Sequence, residues 1–215
     1  MSPVDSMPRN PTQLPSAAVC RVLMDMLIVA LFTLLAISSF HQYLGSRSFM
    51  AFGVLAVNTL LLALFLTRRP AKAETTSLPL WLLGFAGTAL PLLLRPAAAG
   101  ERGIALGSAI QLAGVLTLAV ALLSLRRSFA IVPANRGIRQ GGAYRMVRHP
   151  VYLSELTILL GAVLANPTWI NGAIWLCECA LQLARARAEE RFLCADPLYR
   201  AYCGRVRYRL IPGVV

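Results

Sequence analysis

The chain has 215 residues, a one-domain length, but its composition departs from that of a soluble domain. Residues AVILMFWYC make up 57% even without glycine, against about 45–50% with glycine counted in ordinary globular chains, and charged residues only 14% against about 25%. Lys+Arg 21 against Asp+Glu 9 leaves +12, with Lys72 the sole lysine; disorder, a disulfide mini-protein, a coiled coil and a water-soluble enzyme fit poorly, and an all-α polytopic membrane protein remains.

Residues 1–21 are polar and proline-rich, with a single arginine before residue 20. They lack the basic start and small-residue cleavage site of a secretory signal, so a retained, poorly ordered cytoplasmic N-terminus is expected. Residues 22–125 are expected to form a four-helix transmembrane region. Windows 48–67 and 75–94 are free of charge over 20 residues each, and 103–125 over 23, where roughly 20 apolar residues cross the hydrocarbon. A shorter apolar stretch begins at Val22 and is interrupted only by Asp25. The predicted spans are 22–40, 49–67, 78–94 and 103–125.

Residues 126–215 form the third region: a loop, a hydrophobic hairpin over 151–187 and a polar tail. As one helix, residues 151–184 would run about 51 Å, against a hydrocarbon core about 30 Å thick. Asn166-Pro167 lies near the middle, and proline disfavours helical geometry in the residue before it. Two membrane-embedded helices, 151–165 and 168–187, are the simpler reading.

Loop charges orient the chain. With the N-terminus inside, cytoplasmic segments before residue 150 hold Arg9, Arg21, Arg68, Arg69, Lys72, Arg126, Arg127, Arg136, Arg139, Arg145 and Arg148; the far side holds Arg47, Arg95 and Arg102. Both termini are therefore expected in the cytoplasm, in a bacterial inner membrane or on the cytosolic face of an internal membrane. Cys20, Cys177, Cys179, Cys194 and Cys203 are expected as reduced thiols. Two histidines, His41 and His149, make a zinc site improbable, and Gly137, Gly141 and Gly142 have the wrong spacing for a nucleotide loop. No metal and no nucleic-acid partner is expected.

Polar and aromatic residues concentrate around the hairpin. Before it stand Tyr144, Arg148, His149, Pro150 and Tyr152; after it Arg185, Glu189, Glu190, Tyr199 and Tyr202. A hairpin returns its ends to one membrane side, so His149 and Tyr152 should approach residues 185–190. Arg185 and Glu189 are i, i+4 and share a helix face, while Glu190 is turned roughly 100° away. Carboxylates accept hydrogen bonds from ribose hydroxyls, tyrosine faces attract a sulfonium or ammonium, and arginine holds a carboxylate. The set is compatible with a nucleotide-like or zwitterionic ligand.

Arg148-His149-Pro150-x-Tyr152, Asn166-Pro167, Arg185-x-x-x-Glu189-Glu190-x-x-Leu193, Tyr199-x-x-Tyr202 and Ile211-Pro212 resemble the C-terminal signature of the isoprenylcysteine carboxyl methyltransferase family. That integral-membrane superfamily also includes the phospholipid methyltransferases. The resemblance covers residues 142–212, and the first 125 residues match only as generic spans. It implies S-adenosylmethionine as methyl donor, held at the cytoplasmic side by His149, Pro150, Tyr152, Glu189, Glu190, Tyr199 and Tyr202. Arg185, paired with Glu189, would stand at the methyl-transfer point or the acceptor. Ser154 and Ala186 depart from the residues common at those places, so the acceptor does not carry over with the reaction. A lipophilic carboxylate or related O, S or N nucleophile is expected; a phospholipid amine is the alternative. From a different class, a non-catalytic membrane scaffold with a lipid-binding basic tail also fits.

Other features read more plainly. Arg205, Arg207 and Arg209 alternate with Val206 and Tyr208 and are expected on anionic headgroups. Asp25, Glu155 and Glu178 lie in hydrophobic segments, where an ionisable residue marks function by default. Asp25 and Glu155 are near the cytoplasmic interface, whereas Glu178, two turns before Arg185, is expected to face a pocket or an arginine. Gly103-x-x-x-Gly107 and Gly114 offer a small-residue face for close helix packing.

Overall fold

Residues 15–47, 49–95 and 101–213 are described in a computed structural model. The expectation for residues 1–14 lies outside them. The chain is mostly helical, with helices α1 (Pro15–Ser46), α2 (Phe49–Leu66), α3 (Leu78–Ala89), α4 (Glu101–Leu125), α5 (Pro150–Ala165), α6 (Trp169–Leu193) and α7 (Pro197–Arg205). Val22–Gly45 and Gly103–Ser128 are long and apolar enough to cross a membrane; Ala51–Leu66, Leu78–Leu93 and Pro150–Ala165 are shorter apolar helices. Helix α1 begins at Pro15 rather than Val22, so part of the segment expected to be irregular is helical.

Local chemistry sets the helix ends. Ser77 precedes α3 in extended geometry with a proline in the first turn, and α3 tightens into a 3₁₀ turn at Leu90–Leu93, where Pro91 removes a backbone donor. Pro150 opens α5, which stops at Ala165 because Asn166, before Pro167, leaves helical geometry at φ −136°, ψ 67°. Thr168 then caps α6, its side chain accepting from Asn171 N. The break yields two helices rather than one long one, and α6 runs six residues past 187, the end read from sequence, to Leu193. Asp196 caps α7 by accepting from Leu198 N at 2.9 Å.

Packing is organised on α4. Its Ala121 and Leu122 are fully buried, among Ile28, Phe32, Phe65, Leu118 and Phe129. Helix α5 lies along α4 more extensively than along its hairpin partner α6. Glycines explain this: a Cβ at Gly107 would lie 2.6 Å from Gly161 O, and one at Gly114 2.7 Å from Ile158 Cγ1. The small-residue face therefore serves an intramolecular contact. Outward positions of α1 and α4 remain apolar, with Val22, Leu23, Met26, Leu34, Leu116 and Leu123 all more than half exposed. Helices apolar on every side suit an apolar surrounding.

The connections knit together at one end. Strands β1 (Ala73–Glu74) and β2 (Ala134–Asn135) pair antiparallel, Ala73 opposite Asn135. Arg69 N donates to Arg127 O at 2.8 Å, and the buried Arg136 pairs with Glu74 at 3.1 Å. At the opposite end Asn171, wholly buried, accepts from Arg95 N at 3.0 Å and donates to Arg95 O at 2.9 Å. The turn between α5 and α6 thus reaches the level of the end of the α3 segment.

Candidate functional site

The fold brings the ends of the α5–α6 pair together, as the hairpin reading requires. His149 precedes α5, Tyr152 is in its first turn, and Arg185, Glu189 and Glu190 occupy the last turns of α6. Tyr152 Oη donates to Glu189 Oε2 at 2.8 Å. The Tyr152 ring stacks on His149, centroids 5.4 Å apart and nearly parallel, and the Arg185 guanidinium lies 4.8 Å from its centroid. That ring is therefore engaged by an imidazole and a guanidinium.

Arg185 differs from its expected pairing. Its Nη1 donates to Gln182 Oε1 at 3.0 Å and approaches Glu155 Oε2 at 3.9 Å; its Nη2 donates to Ile131 O at 3.4 Å. The i, i+4 link to Glu189 is replaced by one through Tyr152, because α5 inserts the phenol between them. Gly87 of α3 makes the room: a Cβ there would lie 2.9 Å from Arg185 Cδ. The Arg185 Nε is buried without a hydrogen-bond partner.

Glu190 faces away from this group. Its Oε1 meets Arg148 Nη1 at 3.0 Å and His149 Nε2 at 3.2 Å, and its Oε2 accepts from Arg209 Nε at 2.9 Å. Burial pushes the carboxyl up, but hydrogen bonds from His149 and Arg209 and the charges of His149 and Arg148 outweigh it and hold it below the ordinary glutamate range. The tail closes over the cluster: Arg148 N donates to Tyr208 O and His149 N to Arg209 O, each at 2.9 Å. Arg209, read from sequence as a headgroup contact, is instead committed to Glu190; Arg207 remains exposed.

A cavity of about 280 Å³ runs through the helices beside these residues. Its lining joins apolar side chains, among them Phe32, Leu35, Val54, Leu61, Val115 and Leu118, to the polar Arg148, His149, Tyr152, Glu155, Arg185 and Glu189. A second cavity of about 50 Å³ shares Arg148, His149 and Glu189 with it and ends on Tyr199 and Tyr202. Tyr202 Oη donates to Tyr144 O at 2.8 Å, while the buried Tyr199 Oη has no partner. Burial first, then the nearby Glu189, push both the Tyr144 and Tyr199 phenols well up, so both stay neutral donors.

Of the residues singled out in sequence, His149, Tyr152, Arg185 and Glu189 line the large cavity, Tyr199 and Tyr202 the small one, and Pro150 and Glu190 neither. Glu155 and Glu178 also line the large cavity, and Asp25 instead pairs with Arg68 near the loops. Gln182 and Gly87 were not picked out, and Arg209 was read only as a headgroup contact. A helix-face count finds the first: Glu178, Gln182, Arg185 and Glu189 are spaced four, three and four apart, one stripe of α6. Among the described residues no His, Cys, Asp or Glu group suits a metal ion, and Cys177, Cys179, Cys194 and Cys203 are free thiols. The chain matches no family model and no curated protein.

Proposed function

We propose that the chain is an integral-membrane methyltransferase that uses S-adenosylmethionine and modifies a lipophilic acceptor, a carboxylate first among the candidates. The observation that carries the reading is the cavity's mixed lining: apolar side chains together with His149, Tyr152, Arg185 and Glu189 of the family-like motif. In the same reading α1 to α4 span the membrane and α5–α6 cross as a hairpin, with both chain ends cytoplasmic. Support comes from the basic connections 66–77 and 126–149, joined at one end, and from the Asn171–Arg95 contact at the other.

The polar residues suit a cationic, hydroxyl-bearing cofactor. The Glu189 side chain is 32% exposed and accepts one hydrogen bond from Tyr152, so it has capacity for hydroxyl or amino hydrogens. Tyr199 Oη is an unpaired buried donor beside it. Burying such a group unpaired costs about 1–3 kcal/mol, which a bound acceptor atom removes. S-adenosylmethionine supplies a methyl group on a sulfonium. Arg185, through its free Nε, holds an anionic acceptor, and the apolar walls exclude water from it. No general base is needed for a carboxylate acceptor; catalysis is alignment and desolvation, worth up to about 7–11 kcal/mol in favourable cases. Helix α2 packs on α1 and α4 while α3 packs on α6.

Equilibrium binding of S-adenosylhomocysteine to the purified full-length protein tests the reading. Binding that weakens at least tenfold in Glu189→Ala and in His149→Ala supports it; no binding, or binding indifferent to both changes, refutes it.

A further inference from the structure

The methyltransferase reading assigns nothing to Glu155 and Glu178 in the cavity lining. There Gln182, wholly buried, spends both amide hydrogens on carboxylates: Nε2 donates to Glu155 Oε2 at 2.8 Å and to Glu178 Oε1 at 2.6 Å. Glu178 is 1% exposed, lines the cavity, and its Oε2 is buried with no hydrogen-bond partner. Glu155 also lines the cavity, and its side chain is 35% exposed. Arg185 is the cation of the group, 3.9 Å from Glu155, and its Nε is the second orphaned atom.

Two carboxylates share one guanidinium in a low-dielectric region, so ionising both leaves an excess of one negative charge. A buried carboxylate there is costly unless it is paired. Among the described residues no second cation is paired with these carboxylates: Arg148 and Arg209 are held by Glu190. An unpaired donor, Arg185 Nε, and an unpaired acceptor, Glu178 Oε2, are bridged by one glutamine. Their complement is a molecule presenting an anion and a cation side by side.

We propose that Glu155 and Glu178 form an ammonium subsite, so that the acceptor is a lipophilic amino acid with a free amine, its carboxylate on Arg185 and its ammonium on the two glutamates. The substrate class rests on the methyltransferase reading; the subsite itself does not. An N-acylated analogue has no cation to offer and leaves Glu178 Oε2 unpaired. The apolar tail of the ligand lies against Phe32, Val54 and Leu61. The ammonium is a recognition group, since a protonated amine has no lone pair to accept a methyl.

The test uses full-length protein in nanodiscs of phosphatidylcholine, with S-dodecylcysteine and its N-acetyl derivative as equilibrium-binding probes. The wild type is expected to bind the free amine at least tenfold more tightly. In Glu178→Gln, and more weakly in Glu155→Gln, the preference should fall below threefold, while S-adenosylhomocysteine affinity stays within twofold of wild type. That unchanged affinity also reports that the variants fold, and if Glu178→Gln does not, Glu155→Gln decides. Equal affinity of the two probes for the wild type, or a preference that survives in the folded variants, overturns the proposal. A preference lost on Glu178→Gln with no S-adenosylhomocysteine binding in any protein, the variant's thermal unfolding matching that of wild type, would retain the ammonium subsite and discard the methyltransferase.

Discussion

Replacing Gly161 by alanine tests the packing that holds the site-bearing helix in place. A Cβ at Gly161 would lie 2.5 Å from Gly107 O, 2.6 Å from Gln111 N and 2.7 Å from Gln111 Cγ. The first two are backbone atoms of α4 and cannot move alone. Since ordinary contact begins at 3.4 Å, the two helices must part locally by 3.4 − 2.5, or 0.9 Å. Overpacking costs about 1–3 kcal/mol, and backbone-against-backbone contact places this case at the upper end. Alanine's advantage over glycine within a helix returns about 1 kcal/mol, leaving a net loss of about 2 kcal/mol. Gly172 of α6 is the control: no atom lies within 4 Å of a Cβ there, so Gly172→Ala gains up to about 1 kcal/mol from propensity alone. Reversible unfolding in mixed micelles should separate the two variants by about 3 kcal/mol, on opposite sides of wild type. A Gly161→Ala protein as stable as wild type or Gly172→Ala would refute the packing argument.

Other predictions concern single contacts. Glu190 titrates lower in the folded chain than in the unfolded one, so its stabilisation is complete above the ordinary glutamate value of about 4.3 and is lost as pH falls through the depressed folded value. Thermal unfolding followed between pH 7 and pH 3 should show this acid arm in wild type and a flatter one in Glu190→Gln. Tyr152→Phe keeps the stacking on His149 but removes the bond to Glu189; S-adenosylhomocysteine affinity should fall by about 2–10-fold, the net worth of one hydrogen bond. Asn171→Ala loses the bonds to Arg95 and to Asn166 O and should cost about 1–3 kcal/mol in the same unfolding assay, with ligand affinity unchanged because the contact is at the far end.

Much of the helix order was legible because apolar runs and prolines act locally. Asn166-Pro167 fixed the break between α5 and α6, and charge-free windows found α2 and α4 nearly to the residue. Ends were less legible. Helix α6 continues to Leu193 because Glu190 and Leu193 are buried against other segments, which the hydrophobic pattern of α6 alone does not reveal. The meeting of His149, Tyr152, Arg185 and Glu189 followed from hairpin geometry. The partner of Arg185 did not, because helix spacing describes one helix, and here a phenol from α5 and a carbonyl from residue 131 compete for the same side chains. Arg209 illustrates the same limit: three alternating arginines look alike in sequence, and only the pairing of residues 208–209 with 148–149 distinguishes the one that meets Glu190.

The glycine contact between α4 and α5 makes the cavity mechanically unequal. Backbone meets backbone at Gly107 and Gly161, so the wall carrying His149, Tyr152 and Glu155 has little freedom to shift without breaking that register. Across the cavity, α1 and α2 present Phe32, Leu35, Val54 and Leu61, whose side chains can change rotamer without disturbing a helix axis. Admission of a bulky guest is therefore expected to displace the α1–α2 side. The polar groups stand still, and the size of guest admitted can be retuned through α1 and α2 without re-aiming any charge.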